Sequence, residues 1–211
     1  MPINILIADD HAIVRIGLRK ILEAQQEIIV AGEAADGREA IALSLKCPCD
    51  VMIMDIAMPG INGIDATRSI CEGRPEIRII IHSMYDTCEH IYRAFQAGAR
   101  GYLLKGVAGD EIVPAIRAVM RGELYYGKGV APPAPSDHSH AKSPIDRLTH
   151  REREVLQLVV EGRSSAEIAT ILSLAEKTPE VYRCRIMKKL GIRNTPALVK
   201  FAICHGVTSL E

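Results

Sequence analysis

The chain has 211 residues, of which 48% are hydrophobic, enough to bury a core in one large domain or in two small ones. This excludes disorder except in short stretches, and no apolar run approaches the roughly 18 residues that a membrane-spanning helix needs. Residues 1–126 carry 13 Lys and Arg against 17 Asp and Glu, and the rest carry 13 against 9. The net charge of the chain is therefore zero, but its first part is acidic, which suits a cation, and its second part is basic, which suits a polyanion.

The first 126 residues alternate short apolar runs with helical patterns. The runs are rich in Ile and Val and lack strict alternation, which is typical of parallel strands buried on both faces. The predicted strands are residues 3–8, 28–31, 51–54, 77–81 and 101–104. The predicted helices are residues 13–24, 38–45, 66–71, 89–97 and 109–121. This order predicts the α/β class, with a doubly wound five-stranded parallel sheet.

Residues 127–146 are predicted to form a flexible linker between two domains. They contain four prolines, with glycines, serines and histidines but few large apolar residues. His138 and His140 are interpreted as solvated side chains, because two histidines without a fixed third ligand do not define a metal site.

Residues 147–211 show only helical patterns. Thr149 with Glu152, and Ser164 with Glu167, form capping boxes that begin two helices, the second spanning residues 167–172. Two Thr-Pro pairs begin the others, at residues 178–190 and 195–202. For the third helix we predict a cap at Thr178, with Pro179 at the first helical position. Four short helices with tight links predict a small all-α helix-turn-helix domain.

Six cysteines are scattered along the chain, and the beginning of the sequence lacks the basic region of a signal peptide. We therefore expect a cytoplasmic protein with reduced thiols. Cys47 and Cys49 form the one close pair, but their spacing does not fit a zinc knuckle.

Polar side chains follow four of the predicted strands. Asp9 and Asp10 end the first, Asp55 the third, Ser83 follows the fourth and Lys105 ends the fifth. Strand ends of this kind meet at one edge of a doubly wound sheet. Converging carboxylates repel one another unless a hard cation lies among them, and Mg²⁺ prefers carboxylate oxygens with water and phosphate. The sequence therefore predicts a magnesium site at which a carboxylate attacks a phosphoryl group.

Residues 3 to about 121 resemble the receiver domain of two-component response regulators. The resemblance implies that Asp55, in the motif formed by residues 54–60, is the phosphoacceptor. It also implies that Lys105 and Ser83 hold the phosphoryl oxygens. It also implies Mg²⁺ ligation by Asp10, by Asp55 and by the backbone carbonyl of Ala57, with Asp9 assisting. Tyr102 matches the aromatic residue that turns inward when the hydroxyl residue moves to the phosphate; a plain core role is the alternative.

Ala57 and Tyr85 occupy the two positions at which the family tunes dephosphorylation. Neither side chain readily acts as a general base or orients water. We therefore expect a relatively long-lived aspartyl phosphate. Lys105 is followed by Gly106 where many receivers have proline.

The segments at residues 148–156, 161–169 and 188–191 resemble the LuxR/FixJ-type DNA-binding domain. With the receiver, they identify the chain as similar to NarL/FixJ-type response regulators. The resemblance implies that the helix at residues 178–190 enters the major groove. The predicted DNA-contacting residues are Glu180, Val181, Arg183, Cys184, Arg185, Lys188 and Lys189.

This helix departs from the family at several positions, where Ala175 replaces a serine, Pro179 a valine and Tyr182 a histidine. Pro179 suggests a helix up to one turn shorter than usual. Glu180 suits the helix dipole but repels phosphates, so DNA binding is predicted to be weak or of unusual preference.

The implied partners are a cognate sensor histidine kinase, double-stranded DNA, a second copy of the chain on DNA and RNA polymerase, with no membrane. The helix at residues 195–202 resembles the pairing helix of such domains, with core packing as the alternative. A phosphatase of the haloacid dehalogenase type needs a second acid two residues after the nucleophile, where this chain has Ala57. A receiver whose C-terminal module acts on a protein partner instead of DNA is the alternative that Pro179 and Glu180 keep open.

Overall fold

The computed structural model describes residues 2–106, 108–132, 144–205 and 207–208. The chain divides into two compact units, residues 1–133 and 134–211, and each is described by itself. In the described ranges, no helix is both long enough and apolar enough to cross a membrane. The predicted linker histidines, His138 and His140, lie outside the described residues.

The first unit is built on a parallel sheet of six strands in the order β2-β1-β3-β4-β5-β6. The strands are β1 (Ile3–Ala8), β2 (Ile28–Ala34), β3 (Val51–Met54), β4 (Arg78–Ser83), β5 (Gly101–Leu104) and β6 (Tyr125–Tyr126). The predicted fold class is confirmed, with the strand number corrected from five to six. The sixth strand is only two residues long and pairs with β5, so it is too short to produce an apolar run.

Five helices cover the sheet. They are α1 (Ala12–Glu23), α2 (Gly37–Lys46), α3 (Gly63–Gly73), α4 (Cys88–Gln96) and α5 (Ile112–Met120). Asp36 caps α2 and Asn62 caps α3, each accepting the N–H of the residue three positions on. These caps explain why both helices begin earlier than the apolar pattern predicted.

The strands lack sequence alternation because both faces of the sheet are buried. Ile5 and Ile7 of β1 pack in the cluster on one face, and Leu6 and Ala8 pack in the cluster on the other. Successive strand side chains point to opposite faces, so every position needs an apolar residue when helices cover both. Because the strands of this sheet are parallel, their carboxyl ends lie at one edge.

The chain after β6 remains on the first unit for several residues. Gly127 donates its N–H to the Tyr102 carbonyl oxygen at 2.9 Å, and Lys128 donates its N–H to the Glu111 carboxylate. Val130 is buried in the core. These contacts occupy the start of the predicted linker, whose residues 133–143 lie outside the described part of the chain. The domain boundaries stay a prediction.

Residues 144–205 of the second unit form a short 3₁₀ turn (Pro144–Arg147) followed by four helices. These are α6 (His150–Val160), α7 (Ser165–Ile171), α8 (Thr178–Leu190) and α9 (Thr195–Cys204). Both predicted capping boxes are present, and Gly191 ends α8 in the left-handed conformation. The 3₁₀ turn contributes Ile145 to a core shared by all four helices.

The predicted bounds of α8 are confirmed, because the helix spans Thr178–Leu190, but its predicted cap was wrong by one residue. Lys177 is its N-cap, without a capping hydrogen bond from its side chain, Thr178 is the first helical residue and Pro179 is the second. The first N–H groups of a helix have no intrahelical partner, so proline is tolerated at the second position as at the first.

Candidate functional site

A lysine lies between two buried carboxylates at the carboxyl edge of the sheet. Asp9 follows β1, Asp55 follows β3 and Lys105 follows β5. The Lys105 Nζ lies 2.8 Å from Asp9 Oδ2 and 2.7 Å from Asp55 Oδ2. Only 1% of the Asp9 side chain and 2% of the Asp55 side chain are exposed. Three strands that are not consecutive in the chain therefore build one charged cluster.

Burial perturbs the protonation of this cluster. It raises the pKa of the Asp55 carboxyl to about 6, against the lowering effect of Lys105. Burial also tends to lower the pKa of Lys105, but the Asp55 and Asp9 carboxylates outweigh it and raise that pKa above its ordinary value. At neutral pH the Asp55 carboxylate is therefore ionised and opposite a protonated ammonium group.

Asp10 and His11 extend the cluster toward solvent. The His11 Nδ1 lies 2.7 Å from Asp10 Oδ1 and 3.4 Å from Asp9 Oδ1. One ligand atom from each of Asp9, Asp10, His11 and Asp55 lies within 4.8 Å of the others, close enough to surround one ion. His11 was not predicted as a member of this cluster, although it directly follows the acidic pair in the chain.

The β3–α3 turn holds Asp55 in place. The Asp55 Oδ1 accepts the Ile56 N–H at 2.7 Å, and the Ile56 carbonyl oxygen accepts the Gly63 N–H at 2.9 Å. A Cβ on Gly63 would lie 1.7 Å from the Asp55 carbonyl oxygen, so only glycine fits here. Ala57, the predicted carbonyl ligand, lies half-buried in this turn.

Ser83 and Tyr102 are linked through Tyr85. The Ser83 Oγ accepts the Tyr85 N–H at 3.2 Å, and the Tyr102 hydroxyl donates to the Tyr85 carbonyl oxygen at 2.7 Å. The Tyr102 side chain is fully buried, and burial raises the pKa of its hydroxyl. The Tyr85 ring stacks on the His90 ring of α4, with centroids 4.4 Å apart. Tyr102 is therefore both a core residue and a neighbour of the Ser83 segment.

An arginine lies behind the acidic pair. Arg15 of α1 donates to the carbonyl oxygens of Asp9 and Asp10, and its Nε is 3.1 Å from Glu33 Oε2. Burial opposes ionisation of Glu33, but hydrogen bonds from Arg19 and Arg15 outweigh it and lower the pKa of Glu33. Sequence reasoning missed this network, because nothing along the chain relates residue 33 to residue 15.

The predicted DNA-contacting residues lie together on α8. Pro179 and Ile186 are buried against the helical core, with Tyr182 and Leu190 half-buried on the same face. All seven predicted residues are exposed: Glu180, Val181, Arg183, Cys184, Arg185, Lys188 and Lys189. The helix therefore presents a largely basic surface opposite its apolar face.

Two of these basic side chains make contacts within the second unit, Lys189 with a carboxylate and Arg183 with a neutral hydroxyl. Lys189 Nζ lies 2.6 Å from Glu152 Oε2, and only 5% of the Glu152 side chain is exposed. Burial opposes ionisation, but the hydrogen bonds from Lys189 and from the Thr149 N–H outweigh it and lower the pKa of Glu152. Arg183 donates to the Thr195 hydroxyl at 2.5 Å. Lys189 thus joins α8 to the beginning of α6.

Two family models match the chain. The response regulator receiver domain matches residues 5–117, and the luxR family of bacterial regulatory proteins matches residues 146–202. The chain therefore belongs to the response regulators that join a receiver domain to a LuxR-type DNA-binding domain. The family is one of transcription regulators, as predicted.

Relatives match along nearly the whole chain. The transcriptional regulatory protein MctR of Rhizobium johnstonii is 39% identical over 98% of this chain and 96% of its own length. The response regulator UvrY of Escherichia coli is 37% identical over 99% and 97%. The structure of RcsB from Salmonella enterica, bound to promoter P1flhDC in the presence of phosphomimetic BeF3⁻, matches with a TM-score of 0.64 at 30% identity, covering 95% of this chain and 98% of that one.

Proposed function

We propose that Asp55 accepts a phosphoryl group from a partner histidine kinase and that its phosphorylation controls pairing of the chain and promoter binding. The observation that carries the proposal is the buried Asp55 carboxylate held 2.7 Å from Lys105, with Asp9 on the other side of the same ammonium. Lys105 is one of the two groups that we assign to the incoming phosphoryl oxygens.

The acidic cluster fits Mg²⁺ as the resident cation. Asp9, Asp10 and Asp55 offer hard oxygen ligands within a span of 4.8 Å, which suits a small divalent ion. We assign Asp10, Asp55 and the Ala57 carbonyl as direct ligands, with Asp9 assisting. When bound, Mg²⁺ would neutralise the negative charge that develops on the transferred phosphoryl group.

The chemical step needs one nucleophile and no general base. An Asp55 carboxylate oxygen forms a bond to phosphorus while the bond from phosphorus to the donor nitrogen breaks, and the donor keeps the electron pair. Lys105 turns its ammonium to a phosphoryl oxygen, and the Ser83 hydroxyl donates to another. Ser83 then withdraws from the Tyr85 N–H, which changes the segment that also holds Tyr102 and His90.

The exposed face of α8 is assigned to the major groove of DNA. Arg183, Arg185 and Lys188 supply cations that neutralise phosphates, and each contact adds salt dependence as counterions leave. Two paired copies would contact half-sites about one helical turn apart. RNA polymerase is a further proposed partner.

Labelling with acetyl phosphate tests the proposal. The parent chain is expected to take up acid-labile phosphate with Mg²⁺ and not after chelation, and Asp55→Asn is expected to take up none. Asp110→Asn, at an exposed position, is the matched control and is expected to behave like the parent. Uptake by Asp55→Asn at the parent rate, or none by the parent with Mg²⁺, would contradict the assignment.

A further inference from the structure

The Asp9–Asp10 pair sits on a backbone that α1 holds from behind. Both Asp9 and Asp10 lie just after β1, where the ladder to β2 ends with the Asp9 N–H donating to the Ala34 carbonyl oxygen at 3.1 Å. The next residue, His11, is already the N-cap of α1, with no capping hydrogen bond from its side chain. The carbonyl oxygens of the acidic pair therefore need donors from elsewhere.

Arg15 supplies those donors. Its Nη1 lies 2.6 Å from the Asp9 carbonyl oxygen and 3.3 Å from the Asp10 carbonyl oxygen. The side chain is only 18% exposed, so the hydrogen bonds are largely shielded from water. One planar guanidinium thus bridges both peptide groups that carry the acidic side chains.

A carboxylate from the second strand fixes the guanidinium in turn. Glu33, near the end of β2, accepts from Arg15 Nε at 3.1 Å and from Arg19 Nε at 2.6 Å. Glu33 is thereby held by two consecutive turns of α1, and it sets the plane in which Arg15 can donate. These hydrogen bonds connect the ends of β1 and β2 to Arg15 and Arg19 of α1.

We propose that Arg15, oriented by Glu33, is a positioning residue that holds the Asp9–Asp10 backbone in the geometry for binding the divalent cation. The inference rests on the proposed function of the acidic cluster and adds residues that do not themselves touch the ion. Partners that orient the ligands of a metal are commonly worth about 10–100-fold in metal affinity.

The sign of the effect separates positioning from charge. Removing a cation close to three carboxylates makes their surroundings more negative, and Coulomb's law alone then predicts tighter Mg²⁺ binding. Loss of positioning predicts weaker binding. Arg15→Lys keeps the charge but cannot reproduce the planar, forked set of donors.

The test is a Mg²⁺ titration of the full-length, unphosphorylated chain, followed by the amide resonances of residues 9–11 and 55–56. Arg15→Gln and Arg15→Lys are each expected to raise the half-saturating Mg²⁺ concentration about tenfold, and Glu33→Gln to raise it in the same direction. Lys20→Gln removes the same charge from an exposed position on α1, outside this network, and is expected to match the parent.

Acetyl phosphate labelling gives the second readout. The variants are expected to need more Mg²⁺ for half-maximal labelling, while their rate at saturating Mg²⁺ stays near that of the parent. Parent-like or tighter Mg²⁺ binding in Arg15→Lys overturns the inference, and this variant, which keeps the charge, decides if Arg15→Gln fails to fold. A parent that binds no Mg²⁺ and takes up no phosphate would instead overturn the proposed function.

Discussion

Gly63 begins α3, and a Cβ at this position would lie 1.7 Å from the Asp55 carbonyl oxygen. We expect Gly63→Ala to displace the Asp55 carbonyl and to lower the free energy of unfolding by about 1–3 kcal/mol, as overpacking does, with slower labelling by acetyl phosphate. Urea unfolding and labelling measure the two effects. Gly73→Ala, at the end of the same helix with open space around its Cβ, is the control. Equal stability of both variants would contradict the packing argument.

His82 is a buried titratable group on β4, beside the charged cluster. Only 5% of the residue is exposed, and within the described residues its Nδ1 has no hydrogen-bond partner. Burial, assisted by Lys105 and opposed by Asp9, lowers the pKa of His82 to about 4. The imidazole is therefore neutral in the folded protein at pH 7.

This lowered pKa predicts acid sensitivity. Between pH 6.5 and 4 the unfolded chain binds a proton that folded His82 does not, so the contribution of His82 to stability falls by about 3 kcal/mol as the pH falls through this window. The raised pKa of Asp55 acts in the opposite direction, so the comparison is made between the parent and a His82 variant. Urea unfolding in metal-free buffer measures it through tyrosine fluorescence, since five of the six tyrosines lie in the first unit. His82→Gln is expected to lose this part of the pH dependence. Parallel stability curves for parent and variant would refute it.

At the scale of the element, α8 combines two roles that its basic sequence does not distinguish. Lys188 and Lys189 are neighbours in the chain, but Lys189 pairs with the buried Glu152. Lys188 belongs to the face that we assign to phosphate contacts. Only the packing of α8 against α6 tells the two lysines apart.

Alanine variants of these lysines should therefore differ. Lys188→Ala is expected to weaken DNA binding and to reduce the slope of log K against log salt by about 0.9, with unchanged stability. Lys189→Ala is expected to lower the stability of the second unit by about 1–2 kcal/mol, because Glu152 is left without its cation. Salt-dependent mobility shifts and thermal unfolding measure these effects. Similar behaviour of the two variants would argue against the division.

The remaining elements show how local signals set boundaries. Capping residues predicted the beginnings of α6 and α9 closely, whereas α7 begins at Ser165, two residues before the predicted position. The capping box there was read correctly, but the helix starts directly after its cap and not at the glutamate. The two-residue strand β6 left no local signal.

At the scale of the whole molecule, the two units carry charge of opposite sign. We expect a fragment of residues 144–211 to fold alone, because the 3₁₀ turn and four helices share a complete core, and to show the same salt slope in DNA binding as the full chain. Circular dichroism and mobility shifts test both expectations. A fragment that remains unfolded would show that the first unit is needed for folding of the second. A salt slope much smaller than that of the full chain would show that the first unit contributes to DNA binding.

The sequence by itself determined the architecture of this protein. Ile-rich and Val-rich runs without alternation specified strands covered on both faces, and residues at the helix ends specified the beginnings of α6 and α9, because these signals are local. One group of side chains was predictable together, since parallel strands place their carboxyl ends at one edge of the sheet. It consists of Asp9, Asp10, Asp55 and Lys105.

Only the tertiary structure decided how the side chains are paired. Whether Arg15 reaches the backbone of the acidic pair, and whether Lys189 contacts Glu152 or faces outward, depends on how helices pack against elements distant in the chain. Which side chains meet depends on the relative positions, to within a few ångströms, of elements that lie far apart in the chain. Neither residue type nor periodicity encodes those positions, because many pairings are compatible with the same local pattern.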